Sequence, residues 1–159
     1  MQADAVHAGE PNDAREVSLH TLVAIGLILT FTFLGLRGIW DPDEGRYTNV
    51  ALTMLDSGNW LDPMRNEDTG HWTKPPLTYW LIAASVATFG QTPWAARLPV
   101  ALSYLACFGL VAVCARRLLP RAAAWAPLVF GTMLLPACAA QLITTDFLLS
   151  ALQLLAMTG

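Results

Sequence analysis

Three short stretches of this chain hold the side chains able to do chemistry. The first is Trp40-Asp41-Pro42-Asp43-Glu44-Gly45-Arg46-Tyr47. An Asp before Pro, with Glu three residues on, is the pattern of a capped helix start. Asp41 supplies the cap, Pro42 suits the first helical position, and Glu44 falls where a capping box wants its acid. That account leaves Asp43 without a task. Asp43 either complements the helix dipole, as first-turn acids do, or serves as a carboxylate that takes a proton in a reaction. The second stretch is Trp72-Thr73-Lys74-Pro75-Pro76-Leu77-Thr78-Tyr79-Trp80. Lys74 opens an apolar helix there, and either snorkels to water or neutralises a lipid phosphate. His71, beside it, reads as a solvated side chain, with no second His or Cys at metal-ligand spacing. The third stretch is Gln141-Leu-Ile-Thr-Thr-Asp146-Phe147, in which Asp146 is alone in uncharged sequence. Within hydrocarbon such a carboxylate is costly and functional by default. At the outer surface it caps the last helix, with Thr144 and Thr145 helping.

The elements that must position these residues belong to a membrane. The chain has 159 residues, 55% hydrophobic and only 13% charged, well below the roughly 25% charged of a soluble domain. A net charge of −3 with no basic face excludes a nucleic-acid partner. Cys107, Cys114 and Cys138 all lie in apolar sequence and read as small apolar residues.

Residues 1–17 are polar and mixed in charge, which predicts a cytoplasmic tail. Ser18 to Leu36 is an uncharged stretch with no basic n-region ahead and no small-residue cleavage site behind, so a retained first span is expected. Residues 37–75 carry seven of the twelve acidic residues and cannot cross. Pro76–Ala96 and Leu98–Ala115 are each uncharged, with only Arg97 between them. If the second alone crosses, Arg116, Arg117 and Arg121 face the cytoplasm, as the positive-inside bias favours. Pro76–Gly90 then lies in the outer interface, where Tyr79 and Trp80 are at home. The run from Ala122 to Gly159 carries one charge and predicts a hairpin that turns near Gln141–Asp146. The expectation is therefore an all-α polytopic membrane protein, with spans near 18–37, 97–116, 122–140 and 145–159. Residues 38–96 form an outer loop carrying interfacial helices. Within that loop, Tyr47, Val50, Ala51, Met54 and Leu55 predict an amphipathic helix over 43–57, stopped by Gly58. The last arm is too short to reach the far side, so the chain is expected to be the N-terminal part of a longer protein.

An ordered set of motifs joins these stretches. It begins with Asp43-Glu44-Gly45-Arg46-Tyr47, Met54, Ser57-Gly58-Asn59-Trp60 and Pro63. It continues with Lys74-Pro75-Pro76-Leu77, Tyr79-Trp80-Leu81, Phe89-Gly90 and Arg97-Leu98-Pro99. The set resembles the aminoarabinose transferase and protein O-mannosyltransferase-like glycosyltransferases, whose membrane fold is called GT-C. Arg46-Tyr47 after Asp-Glu is closer to the aminoarabinose-transferase branch. The resemblance implies a sugar carried on a polyprenyl phosphate, an outward-facing site in the bacterial inner membrane, and no nucleotide sugar, cofactor or catalytic metal. It implies a lipid or protein acceptor, such as lipid A. Asp43 matches the essential first-loop aspartate and Asp146 an acidic residue of the second outer loop. Lys74 and Arg46 match basic positions near the donor phosphate, and Glu44, Tyr47 and Tyr79 are candidate substrate contacts. The chemistry suits these types: a carboxylate takes or orients the acceptor's proton, and cations stabilise the leaving phosphate. Two other readings remain beside it. A transporter would show mid-span ionisable groups and an internal repeat, and only Asp146 is a candidate for that. A piece of a transferase without activity on its own is the other.

Overall fold

A computed structural model of the protein describes residues 18–40, 42–66 and 68–159. The expected cytoplasmic tail and the Asp41 cap lie outside the described residues. The elements run α1 (Leu19–Phe31), α2 (Pro42–Ser57), β1 (Met64–Asn66), β2 (Thr69–Gly70), α3 (Leu77–Phe89) and α4 (Pro93–Leu118). A 3-10 turn at Pro120–Ala122 then leads to α5 (Trp125–Thr132), α6 (Leu134–Ala139) and α7 (Asp146–Thr158).

Helix α1 starts at a Ser18 cap, whose Oγ accepts from the Thr21 amide at 3.2 Å. It stops well short of position 37. The hydroxyls of Thr30 and Thr32 bond back to the Gly26 and Ile28 carbonyls, a competition with the backbone ladder that weakens helix. Phe33 then turns the chain at φ 70°. Beyond it the backbone packs inward instead of extending the helix, with Leu34 only 1% exposed.

Helix α2 buries Glu44, Tyr47, Val50, Ala51 and Met54, a 3–4 spacing that puts them on one face. Gly58, at φ 69°, takes the left-handed conformation that ends it. The next segment departs from an all-α chain. Pro63, Gly70 and Pro75 disfavour helix there, and a two-residue register between β1 and β2 pairs the backbone as a small antiparallel hairpin. Asn49 on α2 donates its side-chain amide to the Arg65 carbonyl, and the His71 amide donates to Pro63 O at 2.6 Å. The Trp80 indole of α3 holds the loop from the other side, donating to Trp60 O at 2.7 Å.

Thr92 caps α4 by accepting from the Ala95 amide at 3.2 Å, so the helix begins before Arg97 and carries it in its first turns. Pro99 lies inside this helix and has no N–H for the Ala95 carbonyl four residues back. Ser85 of α3 supplies the missing donor, its Oγ lying 2.6 Å from Ala95 O. Among the described residues α4 is the one helix long and apolar enough to cross a bilayer. Its 26 residues reach about 39 Å at 1.5 Å per residue. Helices α1, α3 and α7 have 13 residues each.

The 122–140 segment is not one helix. Pro136 cannot donate to the carbonyl four residues before it, and the chain is extended at Met133 before α6 restarts. The break strands the Gly131 carbonyl, and Tyr104 on α4 donates its hydroxyl to it at 2.9 Å. Gly131 also lets α5 close on α4: a Cβ there would meet the Phe108 ring at 2.9 Å. The core joins α2, α3, α4, the turn before α7 and α7 itself through Val50, Met54, Tyr79, Ile82, Tyr104, Ile143 and Phe147. Outside it, Leu19, Ile28, Leu118, Leu134, Leu135 and Met157 leave broad apolar faces uncovered.

Candidate active site

Glu44, rather than Asp43, is the acid that the fold encloses. Its side chain is 1% exposed and accepts six hydrogen bonds. Oε2 takes Arg37 Nη1 at 2.8 Å, Arg97 Nη2 at 3.0 Å and the Trp40 amide at 3.2 Å. Oε1 takes Arg37 Nη2 at 2.9 Å, Arg97 Nε at 3.0 Å and the Ile143 amide at 3.0 Å. Burial alone would raise this carboxyl, but donors that favour the charged form, Arg97 first and then Arg37, bring it down to about 2.

Arg97, 1% exposed, spends its remaining donors on the Leu34, Arg37 and Gly38 carbonyls at 3.2, 2.8 and 2.8 Å. A guanidinium has five N–H groups, and all are used. Arg37 also reaches the Gln141 carbonyl at 2.8 Å. From sequence, Glu44 has a capping role or a substrate contact, and Arg97 a place between two segments and in the family motif Arg97-Leu98-Pro99. The available signal was Arg97 itself, a lone charge within a long apolar run.

One residue before Glu44, Asp43 points outward and pairs with Arg46 at 3.0 Å, one turn along α2. Tyr47 follows on the same helix, 6% exposed. Its ring centroid lies 5.9 Å from that of Tyr79 and 6.1 Å from that of His71, and those two are 5.8 Å apart. The three rings thus gather from α2, α3 and the end of the hairpin. Burial raises the Tyr47 phenol, and the negative charges of Asp43 and Asp146 raise it further while Arg46 opposes them. Tyr47 therefore feels both carboxylates that the sequence singled out. Burial, and then Tyr47, push Tyr79 up to about 12.

His71 is not solvated. It is 5% exposed, with Nε2 at 3.1 Å from the Thr73 hydroxyl. Burial and then the charges of Arg46 and Arg65 lower its pKa, with Asp43 acting against them. The neutral ring is favoured at pH 7. No sequence spacing announces this placement, because the β1–β2 hairpin creates it.

Asp146 is the first residue of α7 and is exposed, with Thr145 at the cap position making no side-chain cap hydrogen bond. Near it, the Thr144 hydroxyl and the Gln141 side-chain carbonyl are buried without a hydrogen-bond partner among the described residues. Arg46 Nε and the Tyr79 hydroxyl are in the same condition. These are polar atoms able to receive a polar ligand.

Lys74 is exposed on the wall of a groove of about 350 Å³, with Leu61, Pro63, Trp72, Pro75 and Pro76. Among the described residues no salt bridge engages Lys74, and its neighbour Thr73 meets His71 Nε2 through its hydroxyl. A second, larger open groove of about 880 Å³ runs between α3, α4 and α7, lined by apolar side chains such as Leu81, Leu98, Leu102 and Leu152. Among the described residues no group of three or more His, Cys, Asp or Glu side chains could hold a metal ion.

Comparison with known proteins places this arrangement. The chain is 34% identical over 114 residues to the undecaprenyl phosphate-alpha-4-amino-4-deoxy-L-arabinose arabinosyl transferase of Shewanella sediminis, covering 71% of this chain and 21% of that protein. It is 40% identical over 82 residues to the protein of the same name from Pseudomonas savastanoi pv. phaseolicola, covering 52% of this chain and 15% of the other. The chain spans about a fifth of the length of the first of these relatives. Among solved structures, ArnT from Cupriavidus metallidurans bound to undecaprenyl phosphate superposes with a TM-score of 0.75 at 32% identity, over 84% of this chain and 25% of that one. The apo form gives 0.70 at 34%. The family described as dolichyl-phosphate-mannose-protein mannosyltransferase matches residues 73–158, from the turn before Lys74 to the end of α7. With more than half of its length in that match and these relatives beside it, the chain belongs to the dolichyl-phosphate-mannose-protein mannosyltransferase family, as a protein similar to the aminoarabinose transferases.

Proposed function

We propose that this chain supplies the outer-face site of a membrane glycosyltransferase that moves a sugar from a polyprenyl phosphate to a cell-envelope acceptor such as lipid A. The observation that carries this reading is the Asp43–Arg46 pair, 3.0 Å apart beside the buried Tyr47 ring, whose phenol also feels the charge of Asp146. In the reaction an acceptor oxygen bonds to the sugar C1 as the bond from C1 to the phosphate oxygen breaks. Asp43 takes or orients the acceptor's proton, and Asp146 supports the same centre. The departing polyprenyl phosphate carries away the electron pair, and Arg46 and Lys74 balance its charge. Tyr79 and Tyr47 line the sugar's surroundings. Glu44, with both oxygens filled by protein donors, makes no substrate contact.

The apolar groove between α3, α4 and α7 suits the donor's hydrocarbon chain. The undecaprenyl phosphate named for ArnT and the lipid-linked sugar named for the arabinosyl transferases support this donor class. The topology that goes with it keeps residues 38–96 on the periplasmic side of the inner membrane, with several spans and a cytoplasmic N-terminus.

The test is Asp43→Asn in the intact membrane protein, assayed for transfer from a polyprenyl-phosphate sugar. Asn keeps the size but takes no proton, so turnover should fall by about 10²-fold or more with protein level unchanged. Asp56→Asn, at the exposed far end of the same helix, is the matched control and should be neutral. Near-normal transfer by Asp43→Asn would remove Asp43 from the reaction.

A further inference from the structure

From the Glu44 network we infer that its carboxylate is a positioning residue, holding the start of α2 against the Gln141–Ile143 turn so that Asp43 and Asp146 face one site. This rests on the function proposed above. Glu44 Oε1 accepts the Ile143 amide at 3.0 Å, and Arg37 bridges Glu44 Oε1 and the Gln141 carbonyl with one nitrogen, at 2.9 and 2.8 Å. Asp43 precedes Glu44 directly, and Asp146 follows Ile143 by three residues at the head of α7. Two otherwise distant segments are thus joined within one turn of each carboxylate. Ile143 is itself fully buried, so the turn cannot slide without losing its packing.

Arg97 fixes the other end of the network. Its fork grips both Glu44 oxygens, while the Leu34, Arg37 and Gly38 carbonyls hold the guanidinium in place. A lysine has no such fork, being a point charge on a flexible stem. The arrangement is geometric as well as electrostatic. Removing it should leave the cations and carboxylates of the site present but misplaced, and small misplacements of reacting groups are expensive.

The experiment reads position and turnover separately. Spin labels are attached to Asp56→Cys on α2 and Gln153→Cys on α7, in intact protein whose Cys107, Cys114 and Cys138 are replaced by alanine. Pulsed electron resonance should give one narrow distance distribution. Glu44→Gln and Arg37→Met should each broaden it, and in the unlabelled protein lower turnover by about 10²-fold with the donor KM little changed. Asp43→Asn should leave the distance narrow, because it touches chemistry and not position. If Glu44→Gln does not accumulate as folded protein, Arg37→Met decides. Arg37 is partly exposed, and its loss leaves the Arg97 grip intact. Unbroadened distances in either folded variant would overturn the inference. Broadening in a protein that transfers no sugar even as wild type would sink the proposed function and leave the clamp standing.

Discussion

For Glu44, the local network sets a dependence on acid that is independent of any activity. Its folded pKa of about 2 lies below the ordinary 4.5. As pH falls, the unfolded chain binds the proton first, so the stabilisation is complete above about pH 4.5 and drains away towards pH 2. Melting of the detergent-solubilised protein should therefore hold steady from pH 7 to 5 and decline below that. Glu44→Gln should start lower and lack this component of the decline. Parallel curves for the two proteins would mean that Glu44 is not held in its charged form. At this scale the candidate charges were legible one by one: Asp43 as an acid the cap does not employ, Asp146 as a lone carboxylate in uncharged sequence, and Arg46 through the family resemblance. His71 was not legible, because its burial depends on a hairpin bringing it to two tyrosines from other elements. The enclosure of Glu44 was not legible for the same reason: two of its partners lie 53 and 99 residues further along.

The helices show the same division between what is local and what is not. A stop written in neighbouring residues, such as Gly58 after α2, was readable and falls where chemistry puts it, whereas the Thr92 cap starts α4 ahead of the expected position 97. The early end of α1 and the split of α5 from α6 were not. There, side-chain hydroxyls and prolines withdraw backbone partners, and whether a helix survives depends on what another helix offers in return. Ser85 makes this measurable. With Ser85→Ala the Ala95 carbonyl loses its donor, at an expected cost of about 1–3 kcal/mol. Pro99→Ala restores an N–H within α4, so the cost of Ser85→Ala should shrink in that background. A double-mutant cycle by thermal or denaturant unfolding would reveal this coupling. Equal costs in both backgrounds would show that Ser85 serves some other contact.

Over the whole molecule, the layout implies a direction across the membrane. The hairpin, the three-ring cluster and the Glu44 network all belong to residues 38–96 or touch them. Arg116 and Arg117 lie in the last turn of α4, beyond a bilayer's thickness of helix. In the proposed topology the positive-inside bias assigns Arg116 and Arg117 to the cytoplasm and the site to the outer face. Asn66→Cys, exposed at the tip of β1, should react with an impermeant maleimide added to spheroplasts, without lysis. Labelling only after lysis would invert the topology and the proposed function with it.

The reach of the Glu44 network also bears on how the protein is made. Glu44 leaves the ribosome 53 residues ahead of Arg97 and 99 ahead of Ile143. Helix α2 can form early from its own residues, with Arg37 and Trp40 already made, but its acid waits for Arg97 and Ile143 to be synthesised. The final seating of α2 is therefore a late event in biogenesis, completed only when the turn before α7 has emerged and docked.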